Sequence, residues 1–254
     1  MAFNLQFFGA TERVTGSLYL LTAGDYQIVL ECGLVQGPAE EEAHNRDPLP
    51  FDPQGTHAVV ISHSHIDHSG RVPLLVKQGY TGPVYTHEAS KALCEIMLPD
   101  SGYLNEKEAE WENKKRGRKG KARILPLYTR EDAEASINQF RGLEYDSPTV
   151  IAPGVTLTLF DAGHILGSSI VQLEYDGKDG KRTLVFSGDL GYRDAPLMDP
   201  TTRLQHADAV LMESTYGDRD HRPITETIAE LTDVFESARA AQGNILIPAF
   251  TVGR

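Results

Sequence analysis

The chain has 254 residues, a formal net charge of −12 and 40% hydrophobic side chains. That is enough apolar material for one large or two ordinary domains, and no apolar run approaches the roughly 20 residues of a membrane span. The acidic balance argues against a protein that binds nucleic acid over its whole surface. The first cationic residue is Arg13, so no basic leader segment is expected. Cys32 and Cys94 have no CxxC spacing, and a reducing, cytoplasmic setting follows as the expectation.

In chain order, Leu5 to Phe8, Ser17 to Thr22 and Gln27 to Leu30 read as strands joined by short glycine-bearing turns. Ala58 to Ser62 and Pro83 to Tyr85 follow as strands. A helix is expected from Glu88 to Met97, ending before Pro99, and a second over Glu106 to Asn113. Seven cations then fall within ten residues: Lys114, Lys115, Arg116, Arg118, Lys119, Lys121 and Arg123, interrupted by Gly117 and Gly120. This tract reads either as a flexible segment that reaches phosphates or as a solvated loop between helices. Thr129 is a helix cap with carboxylates in the following turn. Strands resume at Val155 to Phe160, Ser169 to Tyr175 and Thr183 to Phe186, the last two forming a hairpin around Asp176 to Gly180. Ala209 to Met212 is another strand. Ile224 to Gln242 is a patterned helix stopped by Gly243 as a left-handed terminator, and Asn244 to Ile247 is a final strand.

Chemistry concentrates at three strand ends. His63-Ser64-His65-Ile66-Asp67-His68 follows the apolar run Ala58 to Ile61 and puts three imidazoles and a carboxylate within six residues. Such ligands suit zinc and similar divalent ions, whereas a core has no use for them unpartnered. His164 lies in Asp161-Ala162-Gly163-His164-Ile165-Leu166-Gly167-Ser168, and Asp189 in Phe186-Ser187-Gly188-Asp189-Leu190-Gly191. Glycines beside each allow sharp turns and close backbone approach. Strand ends converging on one sheet edge make a concave polar site. His44, His57, His87 and His206 read as ordinary loop or helix-start residues. His221 lies in a loop near the expected cleft.

These three segments, in this order, resemble the metallo-β-lactamase superfamily. Glu213-Ser214-Thr215-Tyr216-Gly217-Asp218-Arg219, the terminal Ile247 to Arg254 and the opening Phe8-Gly9-Ala10 with Val14 to Ser17 narrow the resemblance to its β-CASP branch, whose members cut RNA or, in some cases, DNA. The resemblance implies an α/β fold, the αββα sandwich, over residues 1–207, with 208–254 beginning an inserted β-CASP domain. It implies two zinc ions: His63, His65 and His164 at the first, Asp67 and His68 at the second, and Asp189 bridging. A shared hydroxide would attack phosphorus of single-stranded RNA, with Asp67 accepting a proton or orienting that hydroxide. Glu213 would position a histidine that protonates the leaving oxygen. Glu31-Cys32-Gly33 departs from the family's usual Asp-Cys-Gly at a residue that supports the ligands.

The family pattern also leads one to expect two more histidines, for which this chain has no counterpart. The chain therefore reads as an N-terminal portion with weak or absent nuclease activity by itself and without the strands that return to the second sheet. An unpaired sheet edge would then favour association, with a homodimer the expected form. The alternative readings are a small-molecule hydrolase of thioesters or lactones with the same ligands, and a non-catalytic subunit of an RNA-processing complex.

Overall fold

The computed structural model describes residues 3–178, 180–192 and 197–253, so Asp179 of the expected hairpin and the terminal Arg254 lie outside the described residues. The chain divides into two compact units, Met1–Glu213 and Ser214–Arg254.

The first unit holds two sheets. In the first, β1 (Phe3–Phe7), β2 (Tyr19–Ala23) and β3 (Tyr26–Leu30) pair antiparallel. After the short helix α1 (Ala39–Glu42), β3 continues in parallel into β4 (Ala58–Val60), and β4 into β5 (Val84–His87). Helices α2 (Ile66–Ser69) and α3 (Val72–Lys77) lie between β4 and β5, while α4 (Glu88–Arg118) and α5 (Arg130–Ser136) lead to β6 (Phe140–Leu143), parallel to β5. The second sheet runs β7 (Thr149–Ala152), β8 (Val155–Asp161), β9 (Ser169–Gly177), β10 (Gly180–Phe186) and β11 (Ala209–Leu211); it is antiparallel until β11, which pairs in parallel with β10. That pairing carries the first unit to Glu213.

Period-two alternation builds the layers. Tyr19, Leu21, Ile28, Leu30, Ala58 and Val60 pack against Val155, Leu157, Leu159, Val171, Leu173 and Leu184 between the sheets. The alternate residues Leu20, Val29, Val59 and Ile61 face Leu75 of α3, Cys94 and Leu98 of α4 and Ala133 of α5. Strand β4 is thus buried on both faces, which is why it reads as an uninterrupted apolar run. On the outer face of the second sheet, Ala162, Ile170 and Val185 are covered by Leu190, Leu204 and Ala207, a cluster containing no helical residue. The layers of this unit are helix, sheet, sheet.

Three features of the first unit depart from expectation. Helix α4 does not stop before Pro99 but runs unbroken for 31 residues and includes the segment expected as a separate helix. An interior proline costs about 3 kcal/mol, yet Cys94 and Leu98 are fully buried and Gly102 lies against the backbone of Thr129 and Arg130, so packing on both sides of Pro99 holds the helix together. Because α4 extends to Arg118, the basic tract is not a flexible glycine-spaced segment: half of it is helical. Strands β6 and β7 were not expected, because Phe140–Leu143 contains Arg and Gly and neither segment alternates cleanly.

Thr129 caps α5 as expected and forms a reciprocal capping box with Asp132. Burial alone would raise the Asp132 pKa, but the Lys77 ammonium at 2.6 Å and the Thr129 backbone and hydroxyl outweigh it and hold the carboxyl below its ordinary value. Asp132→Asn should therefore cost about 1 kcal/mol at neutral pH. The sign follows from linkage: a lowered folded pKa stabilises above the unfolded value of about 3.9, and the contribution disappears as pH falls through the folded pKa. Urea midpoints of parent and variant should differ at pH 7 and converge once the pH falls below the lowered pKa; a difference that persists in strong acid would refute the assignment.

The second unit, by itself, is built on α6 (Ile224–Ala240). Its terminator is Gln242, with φ +52°, rather than Gly243. Gly243 N–H donates to Ala238 O at 2.9 Å and Gln242 N–H to Arg239 O at 3.2 Å, the paired bonds of a Schellman stop with the left-handed residue one position early. The strand expected over Asn244–Ile247 does not form; Leu246 is 92% exposed, without a neighbouring strand to pair with among the described residues.

Candidate metal centre

Topology brings the predicted residues to one rim. Strands β3, β4 and β5 are parallel, so Glu31, His63 and His87 follow or end them at the same edge. Strands β8 and β10 both run antiparallel to β9, and β11 runs with β10, so His164, Asp189 and Glu213 also share an edge. The two edges meet where Ser169 N–H donates to Ser62 O at 2.9 Å.

The loop after β4 is held by two other chain segments. Cys32 N–H donates to His68 O at 2.7 Å, Leu34 N–H to Ile66 O at 2.9 Å and Ser17 N–H to Asp67 O at 3.0 Å. Ser69 Oγ donates to Ser64 O at 2.9 Å and to His65 O at 3.0 Å, closing the turn that projects the imidazoles. Opposite, His164 is set by Ser168, whose Oγ accepts from His164 N–H at 3.0 Å and Ile165 N–H at 3.1 Å, and by Asp161, which accepts from Gly163 N–H at 2.7 Å. Ser168 and Asp161 had no assigned role in the sequence, although both lie in the segment around His164.

One donor atom from each of His63, His65, His164 and Asp189 lies within 4.8 Å of all the others. His63 Nε2 and His65 Nδ1 are 3.0 Å apart, His164 Nε2 and His65 Nδ1 3.3 Å, and Asp189 Oδ2 is 3.6 Å from His164 Nε2 and 3.8 Å from His63 Nε2. A tetrahedral ion with bonds of about 2.0–2.1 Å separates its ligand atoms by roughly 3.3–3.4 Å. The separations therefore fit such an ion. Burial drives the His63 pKa well below its ordinary value, helped by the neighbouring imidazoles, and burial also lowers that of His164. Both rings are thus kept in the neutral form that ligates metal.

A second group sits beside the first. His68 Nε2 is 3.3 Å from Asp189 Oδ1 and 3.6 Å from Asp67 Oδ2. Asp189 turns one oxygen toward each group. Burial would lower the His68 pKa, but its bonds to Asp189 and Glu31 outweigh that and raise it well above the ordinary value; burial would raise Asp189, but the bond from His68 and the neighbouring imidazoles outweigh it and lower the carboxyl below its ordinary value. A divalent cation held among these carboxylates would take the place of that proton.

Glu31 takes the extra methylene without losing its partners. Fully buried, with φ +60°, it receives Ser62 N–H on Oε1 at 2.6 Å and faces His68 Nδ1 with Oε2 at 3.0 Å. Burial raises its pKa, opposed by His68. Carboxylate support of this kind fixes the tautomer of a ligating histidine. Glu213 lies outside the donor cluster: its Oε1 accepts from Leu190 N–H at 3.0 Å and its own N–H donates to Ser187 Oγ at 3.1 Å, tying the loop of Asp189 to the end of β11.

Four of the five remaining histidines are engaged elsewhere. His44 pairs with Asp47, His57 Nδ1 accepts from Gln27 N–H, and His87 caps α4 while stacking on Tyr145. His221 stacks on Tyr216 in the second unit.

Residues 27–248 match the sequence profile of the beta-lactamase superfamily domain. The chain is 39% identical to Ribonuclease TTHA0252 of Thermus thermophilus over 97% of its own length and 52% of that protein. It is 32% identical to Transcription termination factor FttA of Lokiarchaeum and 31% identical to that of Methanothermobacter thermautotrophicus, over 99% of this chain and 37% and 38% of those proteins. The chain thus spans about half of the length of the ribonuclease and less than two fifths of the termination factors. With the profile covering most of its length and the donor residues gathered at one rim, the chain belongs to the metallo-β-lactamase superfamily.

Proposed function

We propose that this chain carries the metal centre of a zinc-dependent phosphodiester hydrolase that acts on single-stranded RNA. The observation that carries this reading is the pair of donor groups joined by the two oxygens of Asp189; the likeness to a ribonuclease supports the choice of substrate. His63, His65, His164 and Asp189 would hold one zinc ion, and Asp67, His68 and Asp189 the other. Such ions would stabilise charge at the phosphoryl oxygens and activate the attacking water.

The protein's own groups orient and exchange protons. Asp67, at the mouth of the second group, accepts the proton of the attacking water or orients it. Glu31 holds the His68 ring through Nδ1 and so aims Nε2 at the second position. Glu213 braces the Leu190 backbone and with it the loop of Asp189. Residues after Glu213 are read as the start of the second, β-CASP domain. The buried, unpaired thiols of Cys32 and Cys94 accord with a reducing cytoplasm.

The test is cleavage of a labelled single-stranded RNA by the zinc-reconstituted chain, with a thioester assayed in parallel. Slow RNA cleavage that Asp189→Ala removes is the expected result. Rapid thioester hydrolysis with RNA left intact would overturn the reading.

A further inference from the structure

The basic tract has a defined shape. Lys114, Lys115, Arg116 and Arg118 occupy the last turns of α4, and Lys119 ends it. The chain then folds back: Lys121 N–H donates to Arg116 O at 3.0 Å, Arg116 Nε to Ala122 O at 2.7 Å, and the Asn113 amide bonds both the N–H and the C=O of Ile124 at 2.8 Å. Among the described residues, none of the seven cations forms an ion pair, and all but Arg116 are exposed. The acidic side chains nearest along the helix are Glu108, Glu110 and Glu112, of which Glu110 is taken by Lys107 at 3.0 Å. Beside the cations stands Trp111, 60% exposed, with the Lys115 ammonium 3.0 Å from its ring centre.

Compensation of the helix dipole needs cations only in the last turn; Lys119, Lys121 and Arg123 lie past it. Packing needs none of them. Unpaired like charges crowded on a chain of net charge −12 repel one another and attract a polyanion. Cations along a phosphate path beside an exposed aromatic ring are the two elements of single-strand binding.

We propose that the folded-back tip of α4, from Trp111 to Arg123, is a binding surface for single-stranded RNA. A base stacks on the Trp111 indole, displacing the Lys115 ammonium toward a phosphate, and the remaining cations follow the backbone. The inference rests on the RNA-hydrolase reading and extends it. Helix α4 starts beside the metal centre, where Ser90 Oγ donates to Gly167 O at 2.8 Å. At about 1.5 Å per residue, the tip is roughly 40 Å away. It therefore holds RNA several nucleotides from the scissile phosphate and adds affinity for long strands rather than short ones.

The experiment measures binding of a fluorescein-labelled uridine oligomer of about 20 nucleotides by anisotropy between about 50 and 200 mM salt. Three proteins are compared: the parent, a tract variant (Lys115→Gln, Lys119→Gln, Lys121→Gln, Arg123→Gln), and a control that removes the same charge from ion-paired cations (Lys77→Gln, Lys91→Gln, Lys181→Gln, Arg182→Gln). The tract variant should bind at least about tenfold more weakly, with the salt slope reduced by roughly 3, at about 0.7 per lost phosphate contact. The control should bind like the parent within about twofold, and zinc content should match in all three. Equal weakening of tract variant and control, parent-like binding by the tract variant, or equal parent affinity for a duplex DNA of the same length would overturn the proposal. If Asp189→Ala abolishes cleavage while the tract variant binds like the parent, this inference alone falls; if the parent binds no RNA, both readings fall.

Discussion

On the two-ion assignment proposed above, replacing Asp189 by alanine is expected to reduce bound zinc from two ions per chain to one or none. Its Oδ2 faces His63 and His164, and its Oδ1 faces His68, so a single side chain supplies both groups. At the first group it is the one carboxylate among three imidazoles; at the second it stands beside the Asp67 carboxylate. Losing a supporting partner of a ligand costs about 10–100-fold in metal affinity, and losing a bridging ligand should exceed that at both positions. Mass spectrometry of the native protein after zinc reconstitution reads the outcome directly. Two ions retained at parent affinity would remove Asp189 from the centre.

The second large effect concerns two glycines. A Cβ on Gly33 would lie 1.6 Å from Asp67 O, and one on Gly191 would lie 1.8 Å from Gly163 O. Each glycine backs a ligand loop, the first behind Asp67 and His68 and the second behind His164, and in both cases the obstacle is main chain. Ordinary overpacking costs about 1–3 kcal/mol because side chains yield; here the backbone must move, so Gly33→Ala and Gly191→Ala should each cost about 3 kcal/mol or more. Gly117→Ala is the contrast: nothing lies within 4 Å of its Cβ in α4, and it should stabilise by about 0.5–1 kcal/mol. Urea midpoints would rank the three. Parent-like stability of Gly33→Ala would contradict the close approach of the two segments.

Much of this was legible in the sequence because burial and chemistry alternate sharply along it. The run Ala58–Ile61 reads as a buried strand, and the polar cluster behind it as a strand end with ligand chemistry. The glycines around His164 and Asp189 announced close approach, and the structure brings His63, His65, His164 and Asp189 together. Long-range packing was the illegible part. Pro99 carries a strong local stop signal, and only the burial of Leu98 and the contact of Gly102 with Thr129 override it. The terminator at Gln242 was missed because adjacent Gly243 is the better left-handed residue, and the choice between them depends on where the last helical bonds close. The strand expected at Asn244–Ile247 depended on a neighbour that a linear pattern does not reveal.

The meeting of the two sheet edges at Ser62 and Ser169 has a mechanical consequence. Each half of the donor set belongs to a different sheet, so an ion bound there works as a clasp across the open rim of the sandwich. Its binding energy is then available to oppose sliding of one sheet over the other, in proportion to RT ln(1 + [ion]/Kd). Amide exchange near β4 and β8 should slow together as zinc is added, because neither strand can open at that rim without releasing the ion.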